Sequence, residues 1–180
     1  VTNLGAASGL VSVTIANGLA GDTLDISGTS GVNVFDVTPL SATSGTVQNN
    51  GVGPMVTFSN LGTTATDATL RIVDAGNDTV VVHGTTVNDD IDYDPAARTI
   101  DVTTRQRVTL GADIEALILA GELGDDTITV TGASATAPAL TVHGGAPTAS
   151  DKLELISTEA SATFSLTPGT SFDSGSVVMD

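Results

Sequence analysis

Cysteine is missing altogether. No disulfide framework and no thiolate metal site can therefore be built. Tryptophan is missing as well, Tyr occurs once, and aromatics make up 3% of the 180 residues. A core with so few rings must be filled by Val, Ile and Leu. Bases are scarce: Lys+Arg number 5 against Asp+Glu 21, a formal net charge of -16 at pH 7. Nucleic acid and anionic membranes are bound through clustered Lys and Arg, so neither is expected as a partner. No apolar run approaches the length that spans a bilayer, so membrane insertion is not expected either.

What is present folds. The apolar fraction is 40% and the mean hydropathy is +0.26, which separates the chain from a disordered acidic tail. The first residue is Val and no charged-then-apolar leader precedes it, so a mature product or a piece of a longer chain is expected. Short runs with period-two alternation recur: VSVTI, TLDIS, MVTF, LRIV, TVVV, TIDV, TITV, LELI. Such runs bury one face and wet the other. Gly, Asn, Asp and Pro separate them, so the chain is all-β. Residues 111–124, GADIEALILAGELG, could be helical by composition, but strand-like runs flank them and a strand is the reading here.

Internal repeats carry the firmest pattern. Asp22 leads to Phe35 and Pro39, Asp78 to Ile91 and Pro95, and Asp151 to Phe164 and Pro168, at identical spacings; a looser copy starts at Asp126. A stacked coil of about 20–30 residues per turn would place such copies in register. The expected fold is a right-handed parallel β-solenoid, one repetitive domain over residues 1–180 with repeat starts near 22, 78, 126 and 151. One or two immunoglobulin-like β-sandwiches are the alternative.

AGNDTVVV (75–82) and LGDDTITV (123–130) resemble the haemolysin-type, or RTX-like, calcium repeat. The matching residues are Gly76, Asp78 and Val80, then Gly124, Asp126 and Ile128. GLAGDTLDI (18–26) and TASDKLEL (148–155) match in part. The pattern also looks like degenerate repeats in large extracellular surface proteins of planctomycetes and related bacteria. The resemblance implies a parallel β-solenoid, secretion to the cell surface, and Ca2+ at the turns.

The candidate metal ligands are Asp22, Asn77, Asp78, Asp89, Asp90, Asp92, Asp125, Asp126 and Asp151. Calcium takes 6 to 8 oxygen ligands, and Asp-rich turns supply both carboxylates and carbonyls. In NDDIDYDP, Asp90, Asp92 and Asp94 share one face of an extended segment while Ile91 and Tyr93 share the other. The plainer reading of every such acid is a solvated turn residue. Asp89-Asp90 and Asp125-Asp126 are paired carboxylates of the kind glycosidases use, but sequence neighbours on a strand point to opposite faces. His83 and His143 each end a Val-rich run before Gly and are read as solvated. Of the bases, only Arg105 and Arg107 cluster. No catalytic residue is expected.

The function read from the sequence is a structural module of an extracellular bacterial surface protein, filament or surface layer. Its partners would be copies of itself, adjacent modules of the same chain, or surface glycans. The alternative is an adhesion or ligand-binding β-sandwich module, and the less favoured one is a polysaccharide-active β-helix enzyme.

Overall fold

A computed structural model describes residues 2–3, 12–14, 18–28, 30–49, 55–147, 150–158, 164–168 and 174–179. Among them the chain forms 17 strands and no helix. In chain order these are β1 (Thr2–Asn3), β2 (Ser12–Thr14), β3 (Thr23–Ser27), β4 (Val34–Ser41), β5 (Ser44–Asn49), β6 (Val56–Ser59), β7 (Thr69–Ile72), β8 (Asp78–His83) and β9 (Asp90–Asp94). Then come β10 (Thr99–Val102), β11 (Val108–Leu110), β12 (Ile114–Ala120), β13 (Thr127–Thr131), β14 (Ala139–His143), β15 (Lys152–Ile156), β16 (Phe164–Pro168) and β17 (Ser174–Met179). The IEALIL segment is a strand, β12, as its flanks suggest.

The strands form two sheets. Sheet I runs β1-β3-β7-β11-β10-β9-β13-β15, and sheet II runs β16-β17-β14-β12-β8-β4-β5-β6-β2. Alternation sorts each strand into an inner and an outer face. In β8 the side chains of Val80 and Val82 are buried; in β9 Ile91 and Tyr93 are buried while Asp90, Asp92 and Asp94 are exposed. One core results, with Phe35, Val82 and Leu117 of sheet II in the same cluster as Leu70, Ile91 and Ile128 of sheet I. Each fully buried aliphatic side chain contributes about 1.5–3 kcal/mol.

The expected right-handed parallel β-solenoid is corrected by the pairing. Both sheets are mixed. β4, β5 and β6 join antiparallel, as do β9, β10 and β11, and β17 is antiparallel to β14 and β16. Parallel pairs lie between these hairpins: β3-β7-β11 and β9-β13-β15 in sheet I, β4-β8-β12-β14 in sheet II. The layout is sandwich-like.

The cause is local and readable. After β9 the Asp94 carboxylate accepts the N–H groups of Ala96 and Ala97, both at 2.9 Å. Arg98 then takes a left-handed backbone, φ 55. That is an Asx-type reversal, so DPAAR turns the strand back on itself. The equal spacings also do not mark equivalent laps. Asp22 precedes a strand of sheet I and Asp78 opens one of sheet II, while Phe35 lies in sheet II and Ile91 in sheet I. The Asp-to-apolar spacing thus measures a step between sheets, taken in opposite directions by the two copies. In the third copy Asp151 precedes β15 of sheet I, and Phe164 and Pro168 lie in β16 of sheet II.

Candidate functional site

Asp89, Asp126 and Asp151 stand immediately before β9, β13 and β15. Those strands are neighbours, paired Asp90↔Thr127 and Thr127↔Lys152. The three acids therefore sit side by side, about 4.8 Å from strand to strand. The Asp89 N–H donates to Asp126 Oδ1 at 2.8 Å, and the Asp126 N–H donates to Asp151 Oδ1 at 3.0 Å. Asp89 Oδ2 accepts the Thr85 N–H at 2.6 Å, and its Oδ1 accepts the Thr103 hydroxyl at 3.1 Å.

Sheet II has a parallel device. The Asn33 N–H donates to Asp78 Oδ1 at 2.8 Å, and the Asp78 N–H donates to Glu115 Oε2 at 2.8 Å. The Asn33 amide also donates to Asp74 Oδ2 at 2.7 Å. At the start of a strand the backbone N–H has not yet entered the ladder, and a buried unpaired donor costs about 1–3 kcal/mol. The carboxylate of the neighbouring strand supplies the missing acceptor.

Burial makes these acids unlike surface aspartates. Asp78 and Asp126 are each 1% exposed. Their Oδ2 atoms are buried without a hydrogen-bond partner. Desolvation pushes the Asp126 carboxyl up from its ordinary value of 3.8, helped by repulsion from Asp151, Asp89 and Asp125. Asp74 is raised by desolvation too, with Asp78 adding repulsion.

The other sequence candidates do not join these ladders. Asp22 Oδ2 accepts the Leu19 N–H at 2.8 Å. Asn77 is exposed. Asp90 and Asp92 lie on the outer face of β9, and desolvation, then Asp101 and Asp90, raise the Asp92 carboxyl. Asp125 is exposed and accepts the Ser150 hydroxyl. As the strand pleat requires, Asp89 and Asp126 turn inward while their neighbours Asp90 and Asp125 turn outward. Of the oxygens that the RTX-like resemblance assigns to calcium, the Oδ2 atoms of Asp78 and Asp126 are without a hydrogen-bond partner. The Oδ1 atoms of Asp78, Asp126 and Asp151 already accept backbone N–H groups. Among the described residues, no group of three or more His, Asp or Glu is placed to hold a metal ion.

A cleft of about 450 Å³ opens where β4, β8 and β12 end. Thr38, Pro39 and Leu40 come from β4, His83 to Thr86 from β8 and its loop, and Glu122 and Leu123 from the loop after β12; Arg105 adds one wall. His83, read from the sequence as solvated, is held instead. Its Nδ1 lies 2.6 Å from Glu122 Oε1 and its Nε2 lies 3.4 Å from Asp36 Oδ1. His143 is exposed. Glu122 adopts φ 77, a left-handed backbone that costs about 1–3 kcal/mol outside glycine. The Ala146 N–H, 2.8 Å from Glu122 O, helps to fix it. Arg105 and Arg107, two apart in sequence, part company: Arg107 forms a double hydrogen bond with Asp101 at 2.8 and 2.6 Å.

Sequence reasoning missed Asn33, Asp74, Glu115 and Glu122. It also missed the glycines after the sheet II strands, Gly84, Gly121 and Gly144. The signal was there: in HG, AG and HG each glycine stands five to seven residues before Asp89, Asp126 or Asp151. An added Cβ at Gly121 or Gly144 would stand 2.4 Å from the Oδ2 of Asp126 or Asp151. Comparison with family models, with curated proteins and with solved structures finds no match for this chain.

Proposed function

We propose that the chain is an adhesion or ligand-binding β-sandwich module of a bacterial cell-surface protein, and that it is not an enzyme. One observation carries this reading. Asp89 and Asp126 turn inward and accept backbone N–H groups while Asp90 and Asp125 turn outward, so neither acid pair converges, whereas three strand ends of sheet II leave a cleft lined by Thr38, Thr85, Thr86 and Arg105 with exposed apolar rims at Leu40 and Leu123. Clefts of about 300–1,000 Å³ are the usual size for small ligands. The two packed layers provide a rigid frame, and the strand-end loops carry the contact groups.

The test is an array of cell-wall and extracellular glycans probed with the whole chain and with Thr86→Trp. Thr86 is exposed on the cleft wall, so the bulky replacement fills the cleft without disturbing the core. Retention of a defined component by the parent chain, lost in Thr86→Trp, supports the proposal. Equal retention by both, or by neither, overturns it. The parallel runs β4-β8-β12-β14 and β9-β13-β15 also suit a structural element that associates with copies of itself. Sedimentation over a dilution series tests that second reading, which requires concentration-dependent assembly.

A further inference from the structure

We propose that the cleft takes a small hydroxylated carboxylate, a uronic acid unit of an acidic glycan, with Arg105 as its anchor. This rests on the cleft being the binding site, as proposed above. The sequence holds 21 acids and 5 bases, so a base left without an acid is not short of candidates. Three bases have one: Arg71 pairs with Asp25 at 2.7 Å, Arg107 with Asp101 at 2.6 Å, and Lys152 with Glu154. Arg98 is spent on carbonyls, donating to Thr136 O, to Gly111 O at 2.6 Å and to Ile114 O at 2.8 Å.

Arg105 is the exception. Its Nη1 donates to Leu40 O at 2.6 Å and its Nε is buried without a partner. Among the described residues no carboxylate pairs with it. Glu122, the one acid among the described residues lining the cleft, is engaged by His83, as is Asp36. A half-buried guanidinium without a counter-ion is costly, and a planar carboxylate is the group its geometry best accepts.

The rest of the cleft narrows the class. Thr38, Thr85 and Thr86 line it, and hydroxyls match a ligand that is itself hydroxylated. Leu40 and Leu123, 51% and 50% exposed, offer apolar rims where an aromatic platform is lacking. An acidic peptide is the weaker fit. Extended peptides bind by adding a strand to a sheet edge, and β4, β8 and β12 are all interior strands of sheet II.

The experiment is an amide NMR titration of the isotope-labelled whole chain with D-galacturonate, D-galactose and N-acetyl-diglycine. Galacturonate is expected to shift the amide signals of Thr38, Leu40, Thr85 and Leu123, with galactose and the peptide carboxylate at least about tenfold weaker. Arg105→Gln is expected to weaken galacturonate at least about tenfold, the worth of one charge-assisted hydrogen bond; Arg105→Lys recovers part. The variant also releases Leu40 O, so its amide spectrum and melting curve are recorded first, and Arg105→Lys serves alone if Arg105→Gln is unfolded. Equal binding of galacturonate and galactose overturns the carboxylate proposal but leaves the cleft as the site, as does an unchanged affinity in folded Arg105→Gln. Stronger binding of the peptide carboxylate overturns the glycan assignment. An absence of any cleft shift from galacturonate overturns the proposal, while a neutral array ligand blocked by Thr86→Trp would still uphold the cleft.

Discussion

Replacing Gly121 by Ala tests the acid ladder where it is tightest. Gly121 follows β12, and its backbone is one that any residue can adopt. On chain entropy alone an alanine there would stabilise by about 0.4–1 kcal/mol. Sterics reverse the sign. The new Cβ would stand 2.2 Å from Gly144 O and 2.4 Å from Asp126 Oδ2. Neither neighbour can yield freely. Gly144 is backbone, and Asp126 is held by the Asp89 N–H at 2.8 Å. Overpacking costs about 1–3 kcal/mol, and displacing Asp126 leaves the Asp89 N–H unpaired at a further cost of about 1–3 kcal/mol. The net is a loss of about 3 kcal/mol. For a chain of this size Tm falls by about 2–4 °C per kcal/mol, so a drop of about 6–12 °C is expected in a thermal melt. Gly21→Ala is the control. Gly21 has φ 89 and no atom within 4 Å of its added Cβ, so its cost is backbone strain alone, about 1–2 kcal/mol. A Gly121→Ala chain that melts within about 1 °C of the parent, or above Gly21→Ala, refutes the close approach of Gly121 to the ladder.

Asp126→Ala removes the acceptor of the Asp89 N–H and is expected to cost about 2–3 kcal/mol in urea unfolding, whereas Asp126→Asn keeps an acceptor oxygen and costs less than about 1 kcal/mol. Equal losses would show that charge, not the acceptor, matters there. The pH dependence follows from opposite shifts. The raised carboxyls of Asp74, Asp92 and Asp126 bind protons more tightly folded than unfolded, so their contribution is full below the ordinary value of 3.8 and is lost as pH rises through their folded values. Asp25, lowered by the Arg71 hydrogen bond, contributes above 3.8 and loses that as pH falls through its folded value. Tm should therefore rise on acidification from pH 7 toward about 4 and fall below it, a trend that easing self-repulsion reinforces; a steady fall from pH 7 downward would contradict it. Chelation by EDTA is expected to leave Tm unchanged, because among the described residues no three acids or histidines converge on one point; a drop restored by calcium would place an ion at the turns.

Strand content was legible because alternation is a local property. DTVVVH and DIDYDP state which side chains face the core without reference to any neighbour. The sheet layout was not, because pairing partners are set by turns. Pro95 is a landmark of the equal spacings, yet Asp94-Pro95-Ala96-Ala97-Arg98 is a reversal fixed by Asp94 accepting two backbone N–H groups. Equal spacing misled for a related reason. A strand, a crossover and a strand take a similar length in either direction between the sheets, so Asp22 and Asp78 fall on opposite layers. The special standing of the acids at strand starts was visible, but their job was not. The partner of each lies 25 to 45 residues away, and Glu115 or Asn33 carries no mark of membership. Arg105 could be found only by elimination, once the other bases had been matched to their partners.

The ladder itself can be observed through its hydrogen bonds. In a long-range through-hydrogen-bond correlation experiment on the isotope-labelled chain, the amide nitrogen of Asp89 should couple to the carboxyl carbon of Asp126, and the amide nitrogen of Asp126 to the carboxyl carbon of Asp151. Both amides should also exchange slowly with deuterated solvent. Missing couplings together with rapid exchange at both amides would mean that these carboxylates face water, and that the sheets are held in register by something else.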